Sequence, residues 1–95
     1  MDIAISNAIR NKILLRFLFN GHWRTVEPHA YGRGIKGGDK LGAWQTEGKP
    51  QDVPGWRSYT CSDVFELKSL PATFSGPRQG YNRHDPTFRT IYAQV

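Results

Sequence analysis

The chain has 95 residues, and its 13 lysines and arginines outnumber its 8 aspartates and glutamates, giving a formal net charge of +5. A chain of this length forms one domain, because it buries only about two thirds of its surface and cannot supply two cores. The positive charge favours partners that carry phosphate or carboxylate groups. The single cysteine, Cys61, excludes an internal disulfide and a cysteine-rich zinc site, which favours a reducing cytoplasm.

The sequence gives no sign of a membrane or export segment. Its apolar runs are only a few residues long, whereas a membrane-spanning helix needs about 20. Residues 1–12 lack the basic start and the apolar core of a signal peptide. We therefore expect a soluble, unprocessed, cytoplasmic protein with no membrane partner.

The N-terminal third predicts a helix and then a hairpin. Residues 2–11 predict a short amphipathic helix with Asp2 as its cap. The apolar side chains that recur at helical spacing are Ile5, Ala8 and Ile9. Residues 13–19 are rich in β-forming side chains, and Asn20-Gly21 follows them. This dipeptide favours a type I′ turn, because both central residues of that turn need a positive φ.

Four further strands are predicted at residues 22–32, 40–46, 56–61 and 64–70. Pro28 cannot donate to a ladder and predicts an edge or a bend in the first of them, and Trp44 is expected in the core. Residues 33–40 predict a loop or the tip of a second hairpin, and residues 47–55 a loop. Five short strands behind one helix predict a small antiparallel barrel, because closure removes exposed sheet edges.

The C-terminal segment differs in composition from the predicted barrel. We divide the single domain into a barrel with its helix at residues 1–70 and a wrap packed on it at residues 71–95. The wrap carries spaced aromatic residues, which would be unusual in a solvated linker; they are Phe74, Tyr81, Phe88 and Tyr92. A short helix is expected from about Pro86, with Asp85 as its cap.

The order of features along residues 4–67 resembles that of a known family. A helix precedes the strand "LRFLF", a turn follows, and Arg24 stands four residues before Pro28. The Trp-containing strand "LGAWQ" and the Arg–x–aromatic strand "RSY" come next. This pattern resembles the WYL domain of bacteria and their phages. The eponymous tripeptide is Ala43-Trp44-Gln45 here, and Asp63 stands near the position of a usual basic residue.

The resemblance implies a fold and a class of function. WYL domains form an SH3- or Sm-like five-stranded barrel, and several bind single-stranded nucleic acid or a nucleotide signal. They usually follow a DNA-binding helix-turn-helix, for which this chain has no room. The resemblance therefore implies a ligand sensor in transcriptional regulation, with DNA reading supplied by a partner protein. A homodimer is also compatible with the sequence.

Arg24 and Arg57 are the leading candidates for binding an anion. Two guanidinium groups on one sheet face hold phosphate bidentately, and nearby rings stack on bases. The candidate rings are Tyr31, Tyr59 and Trp56. The alternative is a solvated sheet face on which the two arginines form weak surface ion pairs. The candidate acidic partners are Glu27, Asp63 and Glu66.

Other polar residues give weaker indications. Arg33, Lys36 and Lys40 flank a glycine-rich stretch that could approach phosphate, although a plain hairpin tip is the favoured interpretation. The three histidines match no zinc spacing and are expected on the surface or among packed rings; they are His22, His29 and His84. Cys61 is expected to be a small buried side chain in a strand, on the side of Tyr59.

The sequence thus predicts a ligand-sensing regulatory module that binds a nucleotide or single-stranded nucleic acid. The predicted binding residues are Arg24, Arg57, Trp44, Tyr59, Trp56, Arg33 and Lys36. We expect no catalytic residue, metal or cofactor, and therefore no enzyme. The alternative is a structural or protein-interaction domain without a small ligand. A small nuclease is a third interpretation, disfavoured because the acidic residues are scattered singly.

Overall fold

The computed structural model describes residues 2–48 and 54–95. This part of the chain is mainly β, with six strands in one antiparallel sheet, an N-terminal helix and a short 3-10 turn at Cys61–Asp63. The helix is α1 (Ile3–Arg10). The strands are β1 (Ile13–Phe19), β2 (His22–Gly34), β3 (Asp39–Gly48), β4 (Gly55–Thr60), β5 (Val64–Thr73) and β6 (Phe88–Gln94).

Helix α1 confirms the prediction for residues 2–11. The carboxylate of Asp2 accepts the backbone N–H of Ala4 at 2.9 Å and of Ile5 at 3.3 Å, which satisfies two N–H groups that the helix leaves unpaired. The face that carries Ile5, Ala8 and Ile9 is buried against the sheet. No helix in the described part of the chain is long and apolar enough to cross a membrane.

The first hairpin also forms as predicted. Asn20 has φ 51° and Gly21 has φ 78°, so both turn residues adopt the left-handed conformation that a type I′ turn requires. The turn pairs β1 with β2, from Phe19 opposite His22 to Leu15 opposite Val26. This register turns Arg24 and Val26 to the buried side of β2 together with Phe17 and Leu15.

Strand β2 is the centre of the sheet. Along one edge, its residues 22–26 pair with β1 and its residues 30–34 pair with β6. Along the other edge, it pairs with β3. The strand order is β4-β3-β2-β1-β5, with β6 added to β2. The ladder with β3 shifts register between Pro28 and Ala30, so the predicted bend occurs at the proline. Residues 35–38 form the tip of the second hairpin, one of the two structures predicted there.

The predicted closed five-stranded barrel is wrong. The five predicted strands are present, but the sheet is open, with β4 and β5 at its ends and a sixth strand on β2. The prediction assumed that closure removes the exposed edges of the sheet. Here β4 and β5 remain at the ends of the sheet, and α1 packs against β1, β2 and β6 and covers the apolar face, so burial of that face does not require closure.

The expected C-terminal helix is wrong as well. Residues 88–94 form β6, because the C-terminal half of β2 extends beyond β1 and offers unpaired backbone groups to a new strand. Asp85 caps a turn rather than a helix, with Oδ1 accepting the N–H of Thr87 at 2.8 Å. At Gly32 the backbones of β2 and β6 approach each other closely, because a Cβ at this position would lie 2.0 Å from the carbonyl oxygen of Thr90.

Apolar packing occurs on both sides of the sheet. The main core lies between the sheet and α1, and it includes Ile5, Ile9, Leu15, Phe17, Val26, Tyr31, Leu41 and Tyr59. Trp44 was expected in this core, but it is half-buried on the opposite, outer face of β3. Cys61 was expected in a strand, but it begins the 3-10 turn and is half-buried against the main core. Burial raises the pKa of its thiol to about 12.

Candidate functional site

Residues 74–87, here called the strap, cross the outer face of the sheet between β5 and β6. The strap begins at Phe74, whose N–H donates to the carbonyl of Lys12 at 2.9 Å. It ends at Thr87, whose carbonyl accepts the N–H of Ile35 at 3.0 Å. Between these ends the strap lies against the outer side chains of β2, β3 and β4.

His29 holds the middle of the strap. Its side chain is fully buried, and its Nε2 accepts the backbone N–H of Arg78 at 3.0 Å. Nδ1 must then carry the proton, which it donates to the carbonyl of Glu27 at 2.8 Å. Burial lowers the pKa of His29, and the neutral ring is the form that these two hydrogen bonds need.

Aromatic rings surround His29. Phe74 stacks on the imidazole at 5.4 Å between centroids, Trp56 meets it edge-on at 4.8 Å, and Tyr81 is tilted at 5.3 Å. Trp44 extends the cluster by an edge-on contact of 5.5 Å with Trp56. His29 therefore belongs to the ring-packing class that the sequence predicted. No group of three potential metal-ligating side chains occurs within residues 2–48 and 54–95.

Arg78 fastens the strap a second time, through its side chain. Its Nε and Nη2 donate to the two carboxylate oxygens of Glu27 at 2.7 and 2.8 Å, a bidentate pair. The Glu27 side chain is only 7% exposed, whereas that of Arg78 is 46% exposed. The guanidinium also lies 5.2 Å from the ring centroid of Trp44. Glu27 thus pairs with the strap rather than with Arg24 or Arg57, the partners considered from the sequence.

A groove, here called the strap groove, lies between the strap and the outer face of β3 and β4. Its larger cavity has a volume of about 420 Å³. Gly42 and Ser58 form part of its floor, and Trp56, Tyr81 and Phe88 contribute rings. Trp56 and Tyr81 are roughly parallel, at 27° and 6.0 Å between centroids. Lys40, Arg57, Asn82 and Asp85 add polar groups to the lining.

A second cavity continues the groove toward the hairpin tip. It has a volume of about 470 Å³ and shares Lys40, Ser58 and Thr87 with the first. Lys36 and Ile35 line its far end, and both are exposed. The two cavities together give an elongated depression that passes from the aromatic cluster to a basic loop.

The charges along the groove are mixed. Lys36 and Lys40 lie on it together with the carboxylates of Asp39 and Asp85, and Arg57 borders it. Asp39 accepts hydrogen bonds from the hydroxyls of Tyr31 at 3.4 Å and Tyr92 at 2.9 Å. Burial acts to raise the pKa of Asp85, but hydrogen bonds from Thr87 and the charge of Lys40 outweigh it and lower that pKa.

Lys40 lies where the two cavities meet. Its Nζ donates to the hydroxyl of Thr87 and lies 4.4 Å from the ring centroid of Phe88. Its stem packs beside Gly34, at whose position a Cβ would lie 3.4 Å from Cδ of Lys40. Contacts with the strap, with β6 and with β2 therefore fix the side chain of Lys40 at the middle of the groove.

Three of the predicted binding residues line the groove: Trp56, Arg57 and Lys36. Trp44 lies beside it, against Trp56 and Arg78. Arg33 is exposed on β2 and lines neither cavity. Tyr59 is 1% exposed in the main core, where its hydroxyl donates to Oε1 of Gln45 at 2.7 Å, so it offers no ring face to a ligand. Tyr31 is also 1% exposed.

Arg24 lies in the wall of the main core rather than in the groove or on a solvated face. It is 8% exposed, its Nη2 donates to the carbonyl of Phe19 at 3.0 Å, and its Nε is buried without a hydrogen-bond partner. Burial raises the pKa of Tyr59 to about 12, although the nearby charges of Arg24 and Arg57 act in the opposite direction. Arg24 and Arg57 thus lie on the same face of the sheet, beside Tyr59, but Arg24 is buried, so the two do not form one exposed phosphate site.

From the sequence, Lys40 was only a weak candidate for binding a ligand, and Tyr81, Asn82 and Asp85 were not predicted to bind one. Lys40 appeared as a flank of the glycine-rich loop, and Tyr81 as one aromatic of the tail. Neither signal indicated that the tail returns over β3 and β4. The aromatic residues after Pro71 did predict a wrap packed on the sheet, but not which strands it would cover or that a groove would form beneath it.

Comparisons of the chain with protein-family models, curated proteins and solved structures found no match. The fold and the groove define the molecule as a small antiparallel β protein with a strapped outer face. The resemblance to the WYL domain stays a prediction that rests on the residues quoted for it.

Proposed function

We propose that this protein binds an anionic ligand with a flat ring, a nucleotide or a nucleotide within a single strand, in the strap groove. The observation that carries the proposal is the shared lining of one cavity by the rings of Trp56 and Tyr81 and by the cation of Lys40. A volume of about 420 Å³ lies within the usual range of small-molecule sites.

The chemistry of the lining suits such a ligand. Exposed portions of aromatic rings stack on a base regardless of its sequence identity. The ammonium of Lys40 attracts phosphate. Arg57 borders the groove, but the pairing of β3 with β4 turns its side chain to the same face as Ala43 and Tyr59, where Nη1 donates to the carbonyl of Trp56 at 2.9 Å. Ser58 and Asn82 are exposed and offer hydrogen bonds to a sugar or a base edge.

The proposed role is that of a regulatory ligand sensor in the cytoplasm, acting on transcription through a partner protein that reads DNA or through a homodimer. The WYL resemblance supports the sensor role, and the free thiol of Cys61 supports a reducing compartment. The strap supports signalling, because a ligand in the groove would contact both the strap and the sheet and would thereby change how firmly the strap is held.

Calorimetric titration with adenosine diphosphate tests the proposal, with adenosine and pyrophosphate as its two halves and with other nucleoside diphosphates for base preference. We expect the nucleotide to bind more tightly than either half, and its affinity to fall as salt rises from 50 to 200 mM. Lys40→Gln should weaken binding about tenfold. Arg10→Gln, an exposed change on α1, is the matched control and should leave the affinity unchanged.

The opposite results would overturn this function. If none of the nucleoside diphosphates binds, or if Lys40→Gln binds as well as Arg10→Gln, the groove is not a nucleotide site. The protein-interaction alternative would then be favoured, with the basic charge serving solubility. Metal-dependent hydrolysis of nucleic acid by the pure protein would favour the nuclease interpretation instead.

A further inference from the structure

The strap covers only part of the outer face of the sheet. The part formed by β5, β1 and the start of β2 has no covering segment in the described part of the chain. Its central row consists of Phe65, Leu18 and Trp23, which the pairing registers place side by side on three neighbouring strands. Phe65 is 61% exposed and Trp23 is 37% exposed. Two aromatic rings thus face solvent about 10 Å apart, since neighbouring strands lie about 4.8 Å apart.

A basic row lies next to this apolar row. Arg16 on β1 stands opposite Lys68 on β5 and opposite Thr25 on β2. The guanidinium carbon of Arg16 lies 4.0 Å from the ring centroid of Trp23, so the cation is stacked on the indole. Glu47 continues the row beyond Thr25. A cavity of about 400 Å³ opens beside Trp23, lined in part by Arg16, His22 and Glu47.

We propose that this uncovered face, here called the aromatic–basic face, binds single-stranded nucleic acid. Phe65 and Trp23 provide stacking surfaces for two bases, and Arg16 and Lys68 neutralise the phosphates between them. Sheet faces that combine exposed rings with cations in this way suit single strands, because unpaired bases leave their ring faces free to stack. This proposal concerns a second surface and holds whether or not the strap groove binds a nucleotide.

A nucleic acid strand fits this face better than a second copy of the chain. In a two-fold contact the same patch meets itself, which would bring the cations of Arg16 and Lys68 from both copies into one buried interface. Like charges so placed repel. A polyanion gains from the same two cations and from both rings. Near the face lie the carboxylates of Glu47, at the end of the basic row, and of Glu66, between Phe65 and Lys68 on β5.

Fluorescence anisotropy with labelled ten-nucleotide oligo-dT and oligo-U tests the proposal, at 50 and 200 mM salt. We expect Trp23→Ala and Phe65→Ala each to weaken binding about tenfold, because each removes one stacked base. Arg16→Gln/Lys68→Gln should lower the slope of log affinity against log salt by about 1.4, or about 0.7 for each lost phosphate contact.

Three matched measurements separate this effect from general ones. Ile3→Ala removes an exposed apolar side chain elsewhere and should leave affinity unchanged. Arg10→Gln/Arg89→Gln changes the net charge by the same amount as the basic-row variant, yet should keep the salt slope. Lys40→Gln should weaken binding of the nucleoside diphosphate about tenfold while keeping most of the oligonucleotide binding, which distinguishes this face from the strap groove. Melting temperatures of all variants control for folding.

Several outcomes would overturn the proposal. Oligonucleotide binding that Trp23→Ala and Phe65→Ala leave intact at an unchanged melting temperature would place the strand elsewhere. An absence of oligonucleotide binding at 50 mM salt would do the same. If the native protein dimerises and Trp23→Ala is monomeric, the face is a self-association surface and the charge argument above is wrong.

Discussion

The backbone N–H of Arg78 donates to the imidazole of His29 across 3.0 Å, and this bond joins the strap to the centre of the sheet. A protonated imidazole has no acceptor at Nε2, so protonation would set two N–H groups against each other. The charge state of one buried ring therefore controls how the strap is held.

The first prediction concerns pH. The pKa of His29 in the folded protein lies below its ordinary value of 6.5, because burial disfavours the charged ring. The unfolded chain therefore takes up a proton first as the pH falls. The contribution of neutral His29 to stability is complete above pH 6.5 and is lost progressively as the pH falls below it.

Thermal unfolding between pH 8 and pH 5 measures this effect. The charged groups of Glu27 and Arg78 face His29: the charge of Glu27 acts to raise its pKa and that of Arg78 to lower it, and burial has a larger effect than either. We expect the melting temperature of the native protein to fall below pH 6.5, and that of His29→Gln to start lower and fall less. His84→Gln, a change at an exposed histidine, is the control and should follow the native curve. Parallel curves for His29→Gln and the native protein would show that His29 does not act as described.

The second prediction concerns the Arg78–Glu27 pair. Arg78→Ala leaves the largely buried carboxylate of Glu27 without its two charge-assisted hydrogen bonds, so we expect a loss of about 2 kcal/mol in the free energy of unfolding. Urea unfolding measures it. Arg78→Lys keeps the charge but not the bidentate geometry and should recover only part of the loss. In the double variant Glu27→Ala/Arg78→Ala, the two losses should be less than additive; full additivity would contradict the coupling.

The third prediction concerns Gly32. A Cβ at this position would lie 2.0 Å from a backbone oxygen of β6, so Gly32→Ala must push β6 away from β2. We expect a loss of about 3 kcal/mol and faster hydrogen exchange in β6 than in β1. Gly38→Ala is the matched control, because a Cβ there meets nothing within 4 Å. Equal stability of the two variants would show that β6 does not lie where the structure places it.

The fourth prediction separates Arg24 from the groove cation Lys40. Arg24→Ala removes a buried stem from the core wall and should cost about 2 kcal/mol, whereas Arg24→Met keeps much of that packing. Neither change should alter the affinity for adenosine diphosphate in the folded protein, whereas Lys40→Gln should. If Arg24→Met abolishes nucleotide binding at an unchanged melting temperature, Arg24 belongs to the ligand site after all.

The sequence determined the local structure of this protein closely. Periodicity and capping located α1, and Asn20-Gly21 fixed the first hairpin, because both depend on residues that are neighbours in the chain. These features follow from backbone geometry and side-chain size within about ten residues.

Only the tertiary structure decided which surfaces these elements leave open. The end of β2 extends beyond β1 and pairs with β6, where a helix was expected. Helix α1 covers the apolar face that a closed barrel would have buried. The strap then turned the outer side of Trp44 and Trp56 into a groove and left Trp23 and Phe65 uncovered. Such placements depend on contacts between residues up to about fifty positions apart, and on competition for unpaired backbone groups, which local sequence patterns do not encode.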